Sequence, residues 1–139
     1  MGGRAALSAL FLDTHAWVWW VSRPERLTRS QRAVIERALR RAREPLLLSI
    51  ISCWEVALLV QQRRLRFTLP VDAWLEQATT LPGVEVVPLS LPIIVAASRL
   101  TVLRDPADML IVATAQQHGA RLVTGDGRIQ EADVVPCVA

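Results

Sequence analysis

Four acidic residues stand where they could hold a divalent cation and act on a phosphodiester. They are Asp13 in Leu10-Phe11-Leu12-Asp13-Thr14-His15 and Glu55 in Ser52-Cys53-Trp54-Glu55-Val56-Ala57. The others are Asp108 in Asp105-Pro106-Ala107-Asp108-Met109-Leu110-Ile111 and Asp126 in Leu122-Val123-Thr124-Gly125-Asp126. Each adjoins an apolar run, where a carboxylate is costly unless paired, hydrogen-bonded or bound to a cation. A hard divalent cation takes oxygen ligands. Carboxylates converging from different elements could share one, and it could activate water and stabilise a leaving oxygen.

Each acid also has a purely structural explanation. Ser52-x-x-Glu55 matches a capping box, in which the serine caps a helix and the glutamate reaches back. Asp105-Pro106-Ala107-Asp108 matches a helix start, with Asp105 as the cap, proline at the first position and an acid at the third. Asp13 could cap the helix that follows it, and Asp126 between Gly125 and Gly127 could be a turn residue. Taken singly, each favours structure. Capping alone does not explain why all four lie beside apolar segments.

The elements that must position these acids alternate between strand and helix. Residues 9–13 read as a buried strand, followed by a short Trp-rich helix over 15–21. Residues 28–43 form an amphipathic helix whose apolar face is Val34, Ile35, Ala38, Leu39 and Ala42, stopped by Pro45. Strands follow at 46–49, 84–87, 121–124 and 134–138. Helices are expected at 52–62, 71–79, 92–100 and 106–118, the last ended by Gly119. Short apolar strands between helices indicate an α/β fold with a mainly parallel sheet covered on both faces. Sites in such sheets form beyond the carboxyl ends of the strands. Asp13 and Asp126 follow strands, and Glu55 and Asp108 fall near helix starts.

At 139 residues with 52% hydrophobic content, the chain reads as one domain, 1–139, with a real core. Its longest uncharged stretch, residues 86–98, contains two prolines and is too short to span a bilayer. Residues 5–12 are apolar but run into Asp13 without a small-residue cleavage site, so no secretory signal is expected. The expected location is the cytoplasm. The two cysteines, Cys53 and Cys137, read as buried free thiols, without metal-ligand spacing to His15 or His118.

All 16 basic residues are arginine, and the formal charge is +3. Arg37, Arg40, Arg41 and Arg43 make one basic cluster, and Arg63, Arg64 and Arg66 a second. Such clusters suit phosphate-bearing partners or serve as plain solvated faces. The five tryptophans read first as core and inter-helix packing; the alternative is an exposed strip for a partner chain, for which Trp74 is the best candidate, because its helix also carries Asp72 and Glu76. His15 is expected to pack or hydrogen-bond near the acids, and His118 to end its helix.

At the acidic segments the chain resembles the PIN-domain superfamily, and within it the VapC-type toxins of toxin–antitoxin pairs. Phe11-Leu12-Asp13-Thr14-His15-Ala16 with Trp19-Trp20 is similar to that family's first motif, and Ser49-x-x-Ser52-x-Trp54-Glu55-Val56-Ala57 to its second. Asp105-Pro106-Ala107-Asp108 with Ile111-Val112-Ala113-Thr114-Ala115 is similar to the third, and Val123-Thr124-Gly125-Asp126 to the fourth. The resemblance implies a three-layer α/β/α Rossmann-like fold and an Mg2+- or Mn2+-dependent endoribonuclease toxin. Asp13, Glu55, Asp108 and Asp126 would be the catalytic and metal-binding acids, with Thr124 close by. It also implies a homodimer, an RNA substrate and a VapB-type antitoxin whose C-terminal segment enters the groove. Where the family usually carries arginine after the third acid, this chain has Met109. A leucine, Leu103, precedes Arg104 where histidine is common, and Arg63 precedes Arg64-Leu65 where glycine is common. The alternative is a PIN-fold module that binds antitoxin or RNA with weakened catalysis.

Overall fold

The computed structural model describes residues 9–41 and 44–139. Ala5 to Ser8 of the apolar N-terminal segment, and Ala42 and Arg43 of the amphipathic helix, lie outside the described residues. The strands are β1 (Leu10–Leu12), β2 (Leu46–Ser49), β3 (Val84–Val87), β4 (Arg121–Val123) and β5 (Cys137–Val138). The helices are α1 (Thr14–Ser22), α2 (Arg29–Arg40), α3 (Ile50–Gln61), α4 (Val71–Thr79), α5 (Leu91–Ser98), α6 (Pro106–Gln117) and α7 (Gly127–Ala132). A 3-10 turn, Pro24–Arg26, joins α1 to α2.

The strands pair in the order β3-β2-β1-β4-β5, all parallel. Alternate side chains of one strand go to opposite faces, and both faces here are buried. Leu10, Leu12, Leu46, Leu48 and Val123 pack with Trp17, Ile35 and Val56 from the helices on one side. Phe11, Leu47 and Leu122 pack with Ile111, Val112 and Ile129 on the other. This is the three-layer α/β/α arrangement, and it explains why the strands read as continuous apolar runs rather than alternating ones.

The strand order reverses at β1. The chain builds outward through β2 and β3, then returns to place β4 on β1's other side. A crevice opens at such a reversal, beyond the carboxyl ends of the two diverging strands. Asp13 begins where β1 ends, and its N–H donates to the carbonyl of Val123 at the end of β4, 3.2 Å away. The acid is thereby pinned at the switch point.

Several sequence expectations are corrected here. The third helix starts at Ile50, capped by Ser49, whose hydroxyl accepts from the Ile51 N–H at 3.2 Å. Ser52 therefore lies inside α3, so the Ser52/Glu55 capping box does not form. The run from Leu46 to Ile51 is apolar but for Ser49, which hides the boundary. Residues 127–132 form α7, with Asp126 as its cap rather than a turn residue. Trp74 is 5% exposed, packed edge-on against Trp17 and stacked on Phe67, with Nε1 donating to Ser22 Oγ. Asp72 and Glu76 sit two residues either side of it, hence on the opposite face of the helix. Cys53 and Cys137 are free but half-buried rather than fully buried.

Elsewhere, α6 ends at Gln117 with His118 as its cap, and Gly119 follows at φ +59°. That left-handed conformation is the usual glycine stop. Gly83, at φ +89°, turns the chain into β3 so closely that a Cβ would meet Leu39 Cδ2 at 2.7 Å.

Candidate metal centre and nuclease cleft

A cleft of about 540 Å³ opens at the switch point, and Asp13, Glu55, Asp108 and Asp126 all line it. Four separate elements bring them there. Asp13 follows β1 and caps α1, its Oδ1 accepting from the Ala16 N–H at 2.7 Å. Asp126 follows β4 and caps α7, accepting from the Arg128 N–H at 2.8 Å. Asp108 lies in the first turn of α6. Glu55 is the sixth residue of α3, one turn deeper than the sequence suggested, and the helix still aims it into the cleft.

Hydroxyl groups hold the acids in place. Thr14, the first residue of α1, is buried and donates to the Glu55 carboxylate. Its oxygen also lies 2.9 Å from Ser52 Oγ, so one threonine ties α1 to two positions of α3. The Asp126 N–H donates to Thr124 Oγ1 at 3.0 Å, and the Gln130 side chain donates to the Thr124 carbonyl at 2.8 Å. Sequence motifs pointed to Thr124; the role of Thr14 depends on how α1 meets α3 and has no local signal.

The carboxylates lie close enough to feel one another's charge. Burial raises the carboxyl of Asp13, and the charge of Asp126 adds to it. The Thr124 side chain, the Ala16 N–H and His15 act against that rise. Asp108 is pushed up to about 7, first by burial, then by Asp105, Asp126, Glu55 and Asp13. Carboxylates that raise one another in this way favour a bound cation or a retained proton.

The donor chemistry, all carboxylate and hydroxyl oxygen, suits a hard divalent cation. Among the described residues, however, no three His, Cys, Asp or Glu side chains stand together as a ready-made metal-holding group. Asp13 and Asp126 are turned onto helix N–H groups, and Glu55 onto Thr14. Each of these three acids lines the shared cleft with one oxygen engaged.

Other groups at the cleft were less legible. His15 is exposed and lines it, tilted against Trp19 with ring centroids 5.9 Å apart. Arg26 also lines it, its guanidinium 4.5 Å from the centre of the Trp19 ring. That arginine belongs to neither basic cluster singled out in the sequence. Arg37, Arg40, Arg41, Arg63, Arg64 and Arg66 are exposed, and none of them lines the cleft. Met109 is half-buried and packs against apolar groups of α5 and α6, so its side chain belongs to the core rather than to the cleft.

Comparison with known proteins agrees with this geometry. Ribonuclease VapC22 of Mycobacterium tuberculosis is 37% identical over 125 residues, covering 89% of this chain and 92% of that protein. The fold is similar to VapBC2 from Rickettsia felis bound to a promoter DNA fragment, with a TM-score of 0.69 at 14% identity over 94% of this chain and 97% of that one. A toxin–antitoxin complex from Klebsiella pneumoniae gives a TM-score of 0.62 at 21% identity, over 95% and 97%. The family model for the PIN domain spans residues 10–135, from the first strand past the last acid of the cleft, and the chain belongs to that family.

Proposed function

We propose that this protein is a divalent-metal-dependent endoribonuclease acting as a toxin, neutralised by a VapB-type antitoxin in the cytoplasm. The observation that carries the reading is the convergence of Asp13, Glu55, Asp108 and Asp126 on one cleft at the carboxyl end of a parallel sheet. The 37% identity to a protein described as a ribonuclease supports the same reaction.

Asp13, Glu55, Asp108 and Asp126 would hold the cation, Mg2+ or Mn2+. When bound, it supplies charge stabilisation for a phosphodiester and lowers the pKa of water. The chain's own groups do the rest. Thr14 fixes the direction of Glu55, and Thr124 fixes the loop that carries Asp126. Burial and the neighbouring carboxylates push Asp108 up to about 7, so a cation held there would compete with a proton. Arg26 and His15 at the cleft wall can meet the phosphate backbone.

Weakened catalysis with retained binding is the less supported reading. Met109, standing where arginine is usual, packs against the core and leaves the four acids of the cleft in place. Two exposed apolar surfaces fit the assembly. Ile50 and Trp54 share a face of α3 and suit an antitoxin segment, while Leu91, Ile94 and Val95 share a face of α5 and suit a second copy. No helix among the described residues is long and apolar enough to cross a membrane.

The test is cleavage of an RNA with magnesium or manganese, with EDTA, and with the co-expressed antitoxin. Cleavage is expected only with metal and without antitoxin. Undiminished cleavage in EDTA contradicts the metal, and undiminished cleavage by the complex contradicts neutralisation.

A further inference from the structure

A second cleft of about 570 Å³ adjoins the first, and the two share Asp105 and Asp108 as a common wall. Its other lining residues are Val102, Leu103, Arg104, Arg128, Glu131 and Ala132. The two arginines come from different elements, and each is anchored to an acid of the first cleft. Arg104 precedes Asp105, the cap of the helix that carries Asp108. Arg128 is the second residue of α7, and its N–H is held by Asp126. Their backbone positions relative to the acids are therefore set by two helix starts.

Two guanidinium groups in one cleft suit a phosphate, whose oxygens match the planar donor fork. Val102, strongly exposed, and Ala132 give the cleft an apolar wall on which a sugar or base can rest. Glu131 is the one acid of this cleft that does not belong to the shared wall. We infer that this cleft is a nucleotide subsite, in which Arg104 and Arg128 hold the phosphate next to the one at the acids. The inference rests on the ribonuclease reading, and it sets the path of the strand: across the Asp105–Asp108 wall, from one cleft into the other.

Binding of a short labelled oligoribonucleotide in EDTA, followed by fluorescence anisotropy, tests the subsite without cleavage. The double variant Arg104→Gln/Arg128→Gln is expected to bind about tenfold more weakly. Its log–log salt dependence should be shallower by about 0.7 for each phosphate that the variant no longer neutralises. Arg104→Lys/Arg128→Lys should recover part of the affinity, because the charge is kept and the fork is not. Both arginines are exposed, so thermal melting should not change. An unchanged affinity and salt slope overturn the subsite. So does an effect confined to antitoxin binding, or failure of the wild-type chain to bind the oligoribonucleotide. Cleavage with magnesium is scored separately: a chain that binds through these arginines but never cleaves overturns the ribonuclease reading and keeps the subsite.

Discussion

The hydroxyl of Thr14 donates to the carboxylate of Glu55, across 41 positions of sequence. That bond joins the start of the helix capped by Asp13 to the second turn of the helix carrying Glu55. Two acids from distant segments are thus held in one frame before any cation arrives.

Replacing Thr14 with valine keeps the shape and removes the hydroxyl. Ser52, fully buried, is then left without its partner, and stability should fall by about 1–2 kcal/mol. Glu55 is no longer oriented, so cleavage should drop about tenfold to a hundredfold. Thr14→Ser should restore both. Activity and thermal melting measured together check this, and a Thr14→Val protein as active as wild type contradicts the positioning role.

Asp108 makes the metal-free protein sensitive to pH. Its carboxyl rises from the usual 3.8 to about 7, through burial and then the charges of Asp105, Asp126, Glu55 and Asp13. Between those values the folded state keeps a proton that the unfolded chain has released. Stability should therefore fall as pH rises from about 4 to about 7, with the penalty complete above that window. Asp108→Asn should flatten the dependence. Magnesium should raise the melting temperature more at about pH 8 than at about pH 5, since it competes with the proton. Melting curves across this range decide the point; a metal effect that grows as pH falls counts against a carboxylate site.

The two exposed apolar surfaces proposed for the antitoxin and for a second copy can be tested separately. Trp54 is 59% exposed, so Trp54→Ala should leave melting nearly unchanged and weaken antitoxin binding by at least about 2 kcal/mol. An antitoxin affinity equal to wild type removes α3 from the interface.

Leu91 is 75% exposed on α5. If the chain pairs through this face, the wild type should be a dimer and Leu91→Arg a monomer by light scattering. A variant that remains dimeric shows that the dimer forms through another surface.

Much of the fold was legible because both faces of the sheet are buried. The runs at β1, β2 and β4 are apolar nearly throughout, and a covered parallel sheet needs that. The four acids were legible as residues, since each interrupts or ends such a run. What escaped the sequence depends on packing between distant segments. Trp74 is buried because Trp17 and Phe67 close over it, which neighbouring Asp72 and Glu76 conceal. The helix α7 has six residues and a single buried one, Ile129, too few to show a period. Arg26 reaches the cleft through the turn after α1 and its packing on Trp19, and nothing local marks it. The sequence clusters of arginine drew attention to exposed faces, whereas Arg26, Arg104 and Arg128, outside those two clusters, border the clefts.

The central claim is that the clustered acids hold a metal for RNA cleavage, and Asp13→Asn tests it most directly. Asparagine keeps an oxygen for the Ala16 N–H and removes a charge that burial disfavours, so melting without metal should be unchanged or higher. The measurement is magnesium-dependent cleavage of one RNA by the wild-type and Asp13→Asn chains, each verified as folded by melting. The wild-type chain should cleave and become inactive in EDTA, and the variant should fall on the order of a hundredfold or more. Wild-type cleavage by a folded Asp13→Asn chain, or a wild-type chain that cleaves equally well in EDTA, would contradict the account.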